Sequence, residues 1–201
     1  MAFSMNILIL GDASDAHAAH LKNALTQAGV EVDYLNTYLF PTQLRLSWRP
    51  DTQVGCLTLP GGRQLNLKDI HSVFWRNFSG VYVPPLKDSH QQQVALKDAM
   101  STVRSLIQAC PAKWINSWQA YQFHQEKPLQ LSQVKQIGVT IPATLISNNP
   151  DDVIEFTKAH EKVIFKPVYG GAHTKFVTEK HLNPQRLSQV MSISPVTIQE
   201  Y

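Results

Sequence analysis

A chain of 201 residues with 43% hydrophobic and 16% charged residues can bury one large core or two small ones, which excludes a disordered protein. Its net charge of +3 comes without a dense Lys/Arg stripe, so nucleic acid is disfavoured and a small anionic ligand suits the mild basic excess after residue 70. No apolar run approaches the ~20 residues of a membrane span, and the apolar run from Met5 to Leu10 is too short for a secretory leader. Cys56 and Cys110 lie far apart and outside any C-x-x-C, so free thiols and a cytoplasmic setting are expected.

Asn6 to Leu10 reads as a buried parallel strand, followed by an amphipathic helix with Ala16, Ala19, Leu21, Leu25 and Ala28 on its apolar positions, ending near Gly29. Val30 to Leu35 alternates as a second strand. This β-α-β opening predicts a small doubly wound unit, and the lack of G-x-G-x-x-G after its first strand disfavours a dinucleotide. Pro60-Gly61-Gly62 separates two alternating segments between Val54 and Leu67 and predicts a hairpin. A strand is expected at Ser72–Arg76, a helix at about Ser89–Ala109, closed by Pro111, and a short strand at Lys113–Asn116.

A domain boundary is expected near 111–118, giving domains 1–112 and 113–201. Beyond it the periodicity predicts one helix over about 118–137, stopped at Gly138, and a strand at Ala143–Ile146. A helix follows, opened by Asn149-Pro150-Asp151-Asp152 and running to about His160, with Pro in its first turn and acids favoured by the helix dipole. Then come a strand containing Lys166, a glycine turn, a strand near Lys175–Thr178, a helix near Asn183–Met191 and a last strand Val196–Tyr201.

Val163-Ile164-Phe165-Lys166-Pro167-Val168-Tyr169-Gly170-Gly171 carries the most chemical information. A lysine leaving a buried strand beside a glycine turn suits a polyphosphate: the ammonium is a point charge and exposed amides form a nest. Lys127 upstream and Gln199-Glu200 at the end of the last strand extend the pattern. Each alone has a bland reading: surface charge for the lysines, a hairpin turn for the glycines, an edge-strand end for Gln199-Glu200.

Taken in order, Asn116, Lys127, the run Gly138 to Thr144, Asn148-Asn149-Pro150, Phe165-Lys166-Pro167-Val168, Gly170-Gly171 and Val196 to Tyr201 resemble the first half of an ATP-grasp domain. The spacing is similar to that of ribosomal-protein glutamate ligases and microviridin-type peptide ligases. The resemblance implies a fold: an α/β, doubly wound pre-ATP-grasp domain, then the α+β N-terminal lobe of an ATP-grasp domain. It also implies an activity, carboxylate activation by ATP through an acyl phosphate that an amine or hydroxyl then attacks, on a peptide, protein or amino acid.

The same resemblance implies roles for single residues. Lys127 would contact the phosphates, and Lys166 the α-phosphate and adenine edge. Gly170, Gly171 and their neighbours to Thr174 would cover the β- and γ-phosphates, although Ala172-His173-Thr174 departs from the more glycine-rich family loop. The Gln199 side chain and Glu200 carbonyl would accept from the adenine amino group. ATP and Mg2+ are the implied ligands, with the metal ligands expected after Tyr201, where a complete ligase also carries its ribose carboxylate, catalytic arginine and second lobe.

On that expectation the chain is a portion truncated before its catalytic lobe, inactive alone and weak for ATP at best. A natural half-protein completed by a partner, a non-catalytic nucleotide- or peptide-binding module, and a docking domain are the alternatives. An uncovered apolar end of the last sheet would allow a homodimer.

Outside these motifs the expectations are modest. His17 and His20, three apart on a helix, could share a metal, but without an obvious third ligand they are expected in solvent. Trp75 is expected in the core. Arg76 follows it in an aromatic-basic segment that resembles one facing the substrate in peptide-modifying relatives. Asp12, Asp15 and His17 fall at the carboxyl end of a parallel sheet without an assigned chemistry.

Overall fold

The structure is a computed structural model that describes residues 6–169 and 173–201. The chain divides into two compact units, Met1–Trp118 and Gln119–Tyr201.

In the first unit β1 (Asn6–Leu10) is followed by α1 (Ala16–Gln27) and β2 (Val32–Leu35). With β6 (Ile70–Trp75) and β7 (Lys113–Ile115) these strands make an all-parallel sheet of order β2-β1-β6-β7. A parallel sheet buries both faces, which explains the continuous apolar run of β1, where Leu8, Ile9 and Leu10 are 0–1% exposed. Ile7 and Ile9 pack with Ala18, Leu21 and Leu25 of α1. Helix α2 (Ser89–Ala109) is capped by Asp88, whose carboxylate accepts from the N–H groups of His90 and Gln91. It buries Ala99, Val103, Leu106 and Ile107, one helical stripe. The first unit runs to Trp118, and β7 is hydrogen-bonded to β6 and so belongs to the first sheet.

The expected hairpin is β4 (Val54–Thr58) with β5 (Gln64–Asn66), turned through Gly61 and Gly62 at φ +93° and +89°. Sequence reading missed a third strand, β3 (Arg45–Arg49), which pairs with β4 in a separate antiparallel sheet of order β3-β4-β5. Gly55 of β4 sits where two side chains converge: a Cβ there would lie 2.5 Å from Leu67 Cδ1 and 3.1 Å from Trp48 Cδ1. Leu67 is buried and cannot swing into water. Gly55→Ala is therefore expected to destabilise the first unit by about 1–3 kcal/mol, read as a lower urea midpoint with an unchanged slope.

The second unit holds an antiparallel sheet of order β10-β9-β11-β8, formed by β8 (Thr144–Ser147), β9 (Val163–Lys166), β10 (Lys175–Phe176) and β11 (Val196–Glu200). Helices α5 (Pro150–Ala159) and α6 (Pro184–Met191) start at Asn149 and Asn183, each of which caps a backbone N–H with its side-chain oxygen. Their Val153, Leu187 and Met191 join Val163 and Ile198 in the core.

The single helix expected over 118–137 is two helices, α3 (Trp118–Gln125) and α4 (Lys127–Gln136), broken at Glu126. Pro128 is the reason. Its ring lacks an N–H and clashes with the carbonyl four residues back, so it is tolerated only in a first turn, and the helix restarts there. Lys127 is consequently the opening residue of α4, not a mid-helix position.

Candidate functional site

Strand alternation divides the second sheet into a core face and a free face. Val163, Phe165, Leu145, Val196 and Ile198 enter the core. Their neighbours one residue along must point the other way. Register confirms it: Thr197 stands opposite both Lys166 and Ile146, and Gln199 opposite both Ile164 and Thr144. Lys166, Thr197, Gln199 and Thr144 therefore share the second face.

A cleft of about 340 Å³ opens there, between that face and the first turns of α4. Lys127, Leu131 and Val134 line it from the helix; Lys166, Ile146 and Thr197 line it from the sheet. The walls are largely apolar, and two ammonium groups from segments distant in sequence border one space. A flat aromatic base suits the walls and phosphate oxygens suit the ammoniums. The opening turn of α4 adds the positive end of a helix dipole on the Lys127 side.

The Lys166 ammonium is held in place. Its Nζ donates to Gln199 Oε1 at 3.1 Å, and Gln199 Nε2 donates to Thr144 Oγ1 at 2.7 Å. Gln199 is 7% exposed, so these contacts satisfy an amide that water cannot reach. Its carbonyl is turned to Lys166, and Gln199 is not among the residues that line the cleft. Glu200 Oε1 accepts from the Ala143 N–H at 2.8 Å and Oε2 lies 3.9 Å from His160 Nε2, so the side chain is used within the unit. Lys127 Nζ lies 3.4 and 3.3 Å from the two ring nitrogens of His124.

Thr174 is exposed just before β10 and does not line the cleft. Gly170 and Gly171, the expected phosphate loop, lie outside the described residues. Sequence reading missed Thr144 as a partner of Gln199, and missed that Gln199 reaches Lys166. Both follow from strand register, which no local motif reports.

The carboxyl end of the first sheet is a closed electrostatic unit. Asp15 caps α1 by accepting from the Ala18 N–H at 2.8 Å, and it accepts from Arg76 Nε and from an Arg76 terminal nitrogen, each at 2.9 Å. The same Arg76 terminal nitrogen lies 3.1 Å from His17 Nδ1. Trp75 is buried, with its ring 5.8 Å from that of Trp114. His20 is exposed, and among the described residues no group of three or more His, Cys, Asp or Glu could hold a metal ion. Cys56 and Cys110 are free, and burial pushes the Cys110 thiol up, which keeps it protonated. No helix among the described residues is long and apolar enough to cross a membrane.

The Ala18 N–H, and after it the Arg76 guanidinium, hold the Asp15 carboxyl below its ordinary value of 3.8. A carboxyl lowered in the folded state stabilises above its unfolded pKa, and that contribution is lost as pH falls through the folded one. Asp15→Asn, which keeps a capping oxygen but not the charge, is expected to melt below the parent above about pH 4, the two curves converging at lower pH. Thermal melts of the pair across pH 2–7 (about five units spanning the carboxylate range) check the sign.

Comparison with known proteins gives this geometry a context. Residues 6–122, more than half of the chain, match the family described as the MvdD pre-ATP grasp domain. No curated protein sequence matches the chain. Among solved structures, the macrocyclase MdnC of Microcystis aeruginosa MRC, bound with precursor peptide MdnA, is 25% identical at a TM-score of 0.85, over 98% of this chain and 68% of that one.

The ATP-grasp ligase PsnB complexed with minimal precursor is 23% identical at a TM-score of 0.80, over 97% of this chain and 63% of that one. A Chryseobacterium gregarium RiPP-associated ATP-grasp ligase, in complex with ADP and a leader and core peptide, is 23% identical at 0.80, over 98% and 62%. This chain thus spans 62–68% of the length of those ligases. The chain belongs to the MvdD pre-ATP-grasp family, whose model its residues 6–122 match, and its fold is that of ATP-grasp peptide ligases.

Proposed function

We propose that the cleft between α4 and the β9-β11-β8 face is the nucleotide site of an ATP-dependent ligase acting on a peptide. The observation that carries this reading is the convergence of Lys127 and Lys166 on one largely apolar space. In it the base lies against Leu131, Val134 and Ile146, and the two ammoniums neutralise phosphate oxygens. ATP, when bound, supplies the phosphoryl group that activates a carboxylate. The residues of this chain bind and orient it: Lys166, pinned by Gln199, is one donor, and Lys127, beside His124, is the other. Mg2+ would be carried on the phosphate oxygens of the nucleotide. Activating a carboxylate with cellular ATP goes with a cytoplasmic setting.

For the peptide partner the support comes from the solved structures. MdnC, PsnB and the Chryseobacterium ligase are each described bound to a precursor or its parts. That common partner favours a precursor-type peptide over a free amino acid.

Titrating the 15N-labelled chain with Mg-ATP while recording amide shifts tests the nucleotide reading, because the method detects weak binding. Saturable shifts clustered on β9, β11 and the start of α4 are expected. Absent shifts at millimolar nucleotide, or shifts confined to the first unit, would remove it.

A further inference from the structure

We infer that Thr144 is a positioning residue that acts through Gln199 on Lys166, an inference that rests on the nucleotide reading of the cleft. Three strands bring the residues into line: Thr144 on β8 stands opposite Gln199 on β11, which is hydrogen-bonded to β9, where Lys166 lies. Thr144 Oγ1 donates to the Pro142 carbonyl at 2.9 Å and accepts from Gln199 Nε2 at 2.7 Å, while Gln199 Oε1 accepts from Lys166 Nζ at 3.1 Å. The polarity of this chain is forced at both ends. A hydroxyl has one proton, and Thr144 spends it on a backbone carbonyl, so it can only accept from Gln199. An ammonium has no acceptor, so it needs the carbonyl side of the amide.

Turning the Gln199 amide by half a rotation would set its NH2 against the ammonium and its oxygen against the hydroxyl lone pairs. Two contacts would fail at once, in a side chain that is 7% exposed and has little water to replace them. The backbone at Pro142 therefore sets which end of Gln199 faces Lys166. That choice anchors one of the three N–H groups of Lys166 and leaves two for phosphate oxygens. A lysine stem is flexible, and holding its head before the ligand arrives reduces the ordering that binding must impose.

The test compares Thr144→Val, which keeps the branched shape and removes the hydroxyl, with Thr144→Ser, which keeps the hydroxyl. The readout is the acylation rate of each lysine by trace acetic anhydride, resolved by mass spectrometry on the full chain without nucleotide, with Lys158 as internal reference. Thr144→Val is expected to raise the Lys166 rate about 3- to 10-fold, the factor for one lost hydrogen bond, and Thr144→Ser to restore it. Mg-ATP affinity should fall by a similar factor in the valine variant.

A further variant isolates the route. In Gln199→Glu a carboxylate offers oxygen on both sides, so its orientation no longer matters, and adding Thr144→Val should leave the Lys166 rate unchanged. Equal Lys166 rates in the parent and Thr144→Val overturn the inference, as does a full effect of Thr144→Val in the Gln199→Glu background. If Thr144→Val does not fold, failure of Thr144→Ser to keep the parental Lys166 rate overturns it. Because the labelling needs no nucleotide, a parent that binds no Mg-ATP defeats the reading of the cleft while labelling still decides the role of Thr144.

Discussion

Lys166→Met is expected to weaken Mg-ATP binding by about 10- to 100-fold, the effect of losing a charge-assisted contact worth about 1.5–3 kcal/mol. Methionine keeps the length of the stem and the apolar wall, so the loss reports the ammonium and not the packing. Two consequences distinguish this from general damage. The salt dependence of binding should become shallower, because one fewer cation meets the phosphates. Adenosine, which lacks phosphates, should bind the variant and the parent alike. Lys127→Met is expected to lose less, since its ammonium lies beside His124 while that of Lys166 is fixed by Gln199. Titration calorimetry, or fluorescence competition where binding is weak, measures both ligands on the parent and the two variants. Equal ATP affinity for the parent and Lys166→Met would remove Lys166 from the phosphate role.

What could be read from the residues divides along a physical line. Features fixed by local chemistry were legible: the apolar run of β1, the Pro60-Gly61-Gly62 turn, the Asn149-Pro150 helix start, and the reach of α2 from Ser89 to Ala109. Strand β3 was missed even though Arg45-Leu46-Ser47-Trp48-Arg49 alternates, because its turn carries no glycine signal. The left-handed position falls on Gln53 at φ 55°, a residue type that seldom marks a turn. The break at Glu126 was signalled by Pro128, but helical periodicity on both sides hid it.

The cleft was legible only in part, and for a different reason. Lys166 and Gln199 are 33 positions apart, and their bond exists because β9 and β11 are antiparallel neighbours in one register. A one-residue slip would put Gln199 on the core face and Ile198 in the cleft. Pairing of this kind is a property of the sheet, so the resemblance could point to each residue singly but not to the relay that ends at Thr144.

The core face of the same sheet sets the stability of the second unit, and Ile198→Ala tests this. Ile198 is 1% exposed on β11, the strand between β9 and β8, and it joins Val153, Val163, Leu187 and Met191 in the core. Truncation removes buried methyl groups and leaves a cavity that helices and sheet fill only in part, so a loss of about 2–5 kcal/mol is expected. A unit this small has little to spare, and that loss is a large share of the ~5–15 kcal/mol typical of a domain. Ile198→Val, which removes one methyl, should cost only about 0.5–1.5 kcal/mol.

Native-state hydrogen exchange locates the effect. Amides of β8, β9 and β11 should lose protection in proportion to the substitution, while those of β1 and β6 in the other unit keep theirs. Thr197 and Gln199 point to the opposite face, so molecules of Ile198→Val that remain folded should keep the parental affinity for Mg-ATP. Loss of binding without loss of protection would mean that the two faces are not separable. Equal costs for alanine and valine would mean that Ile198 is not packed as the core requires.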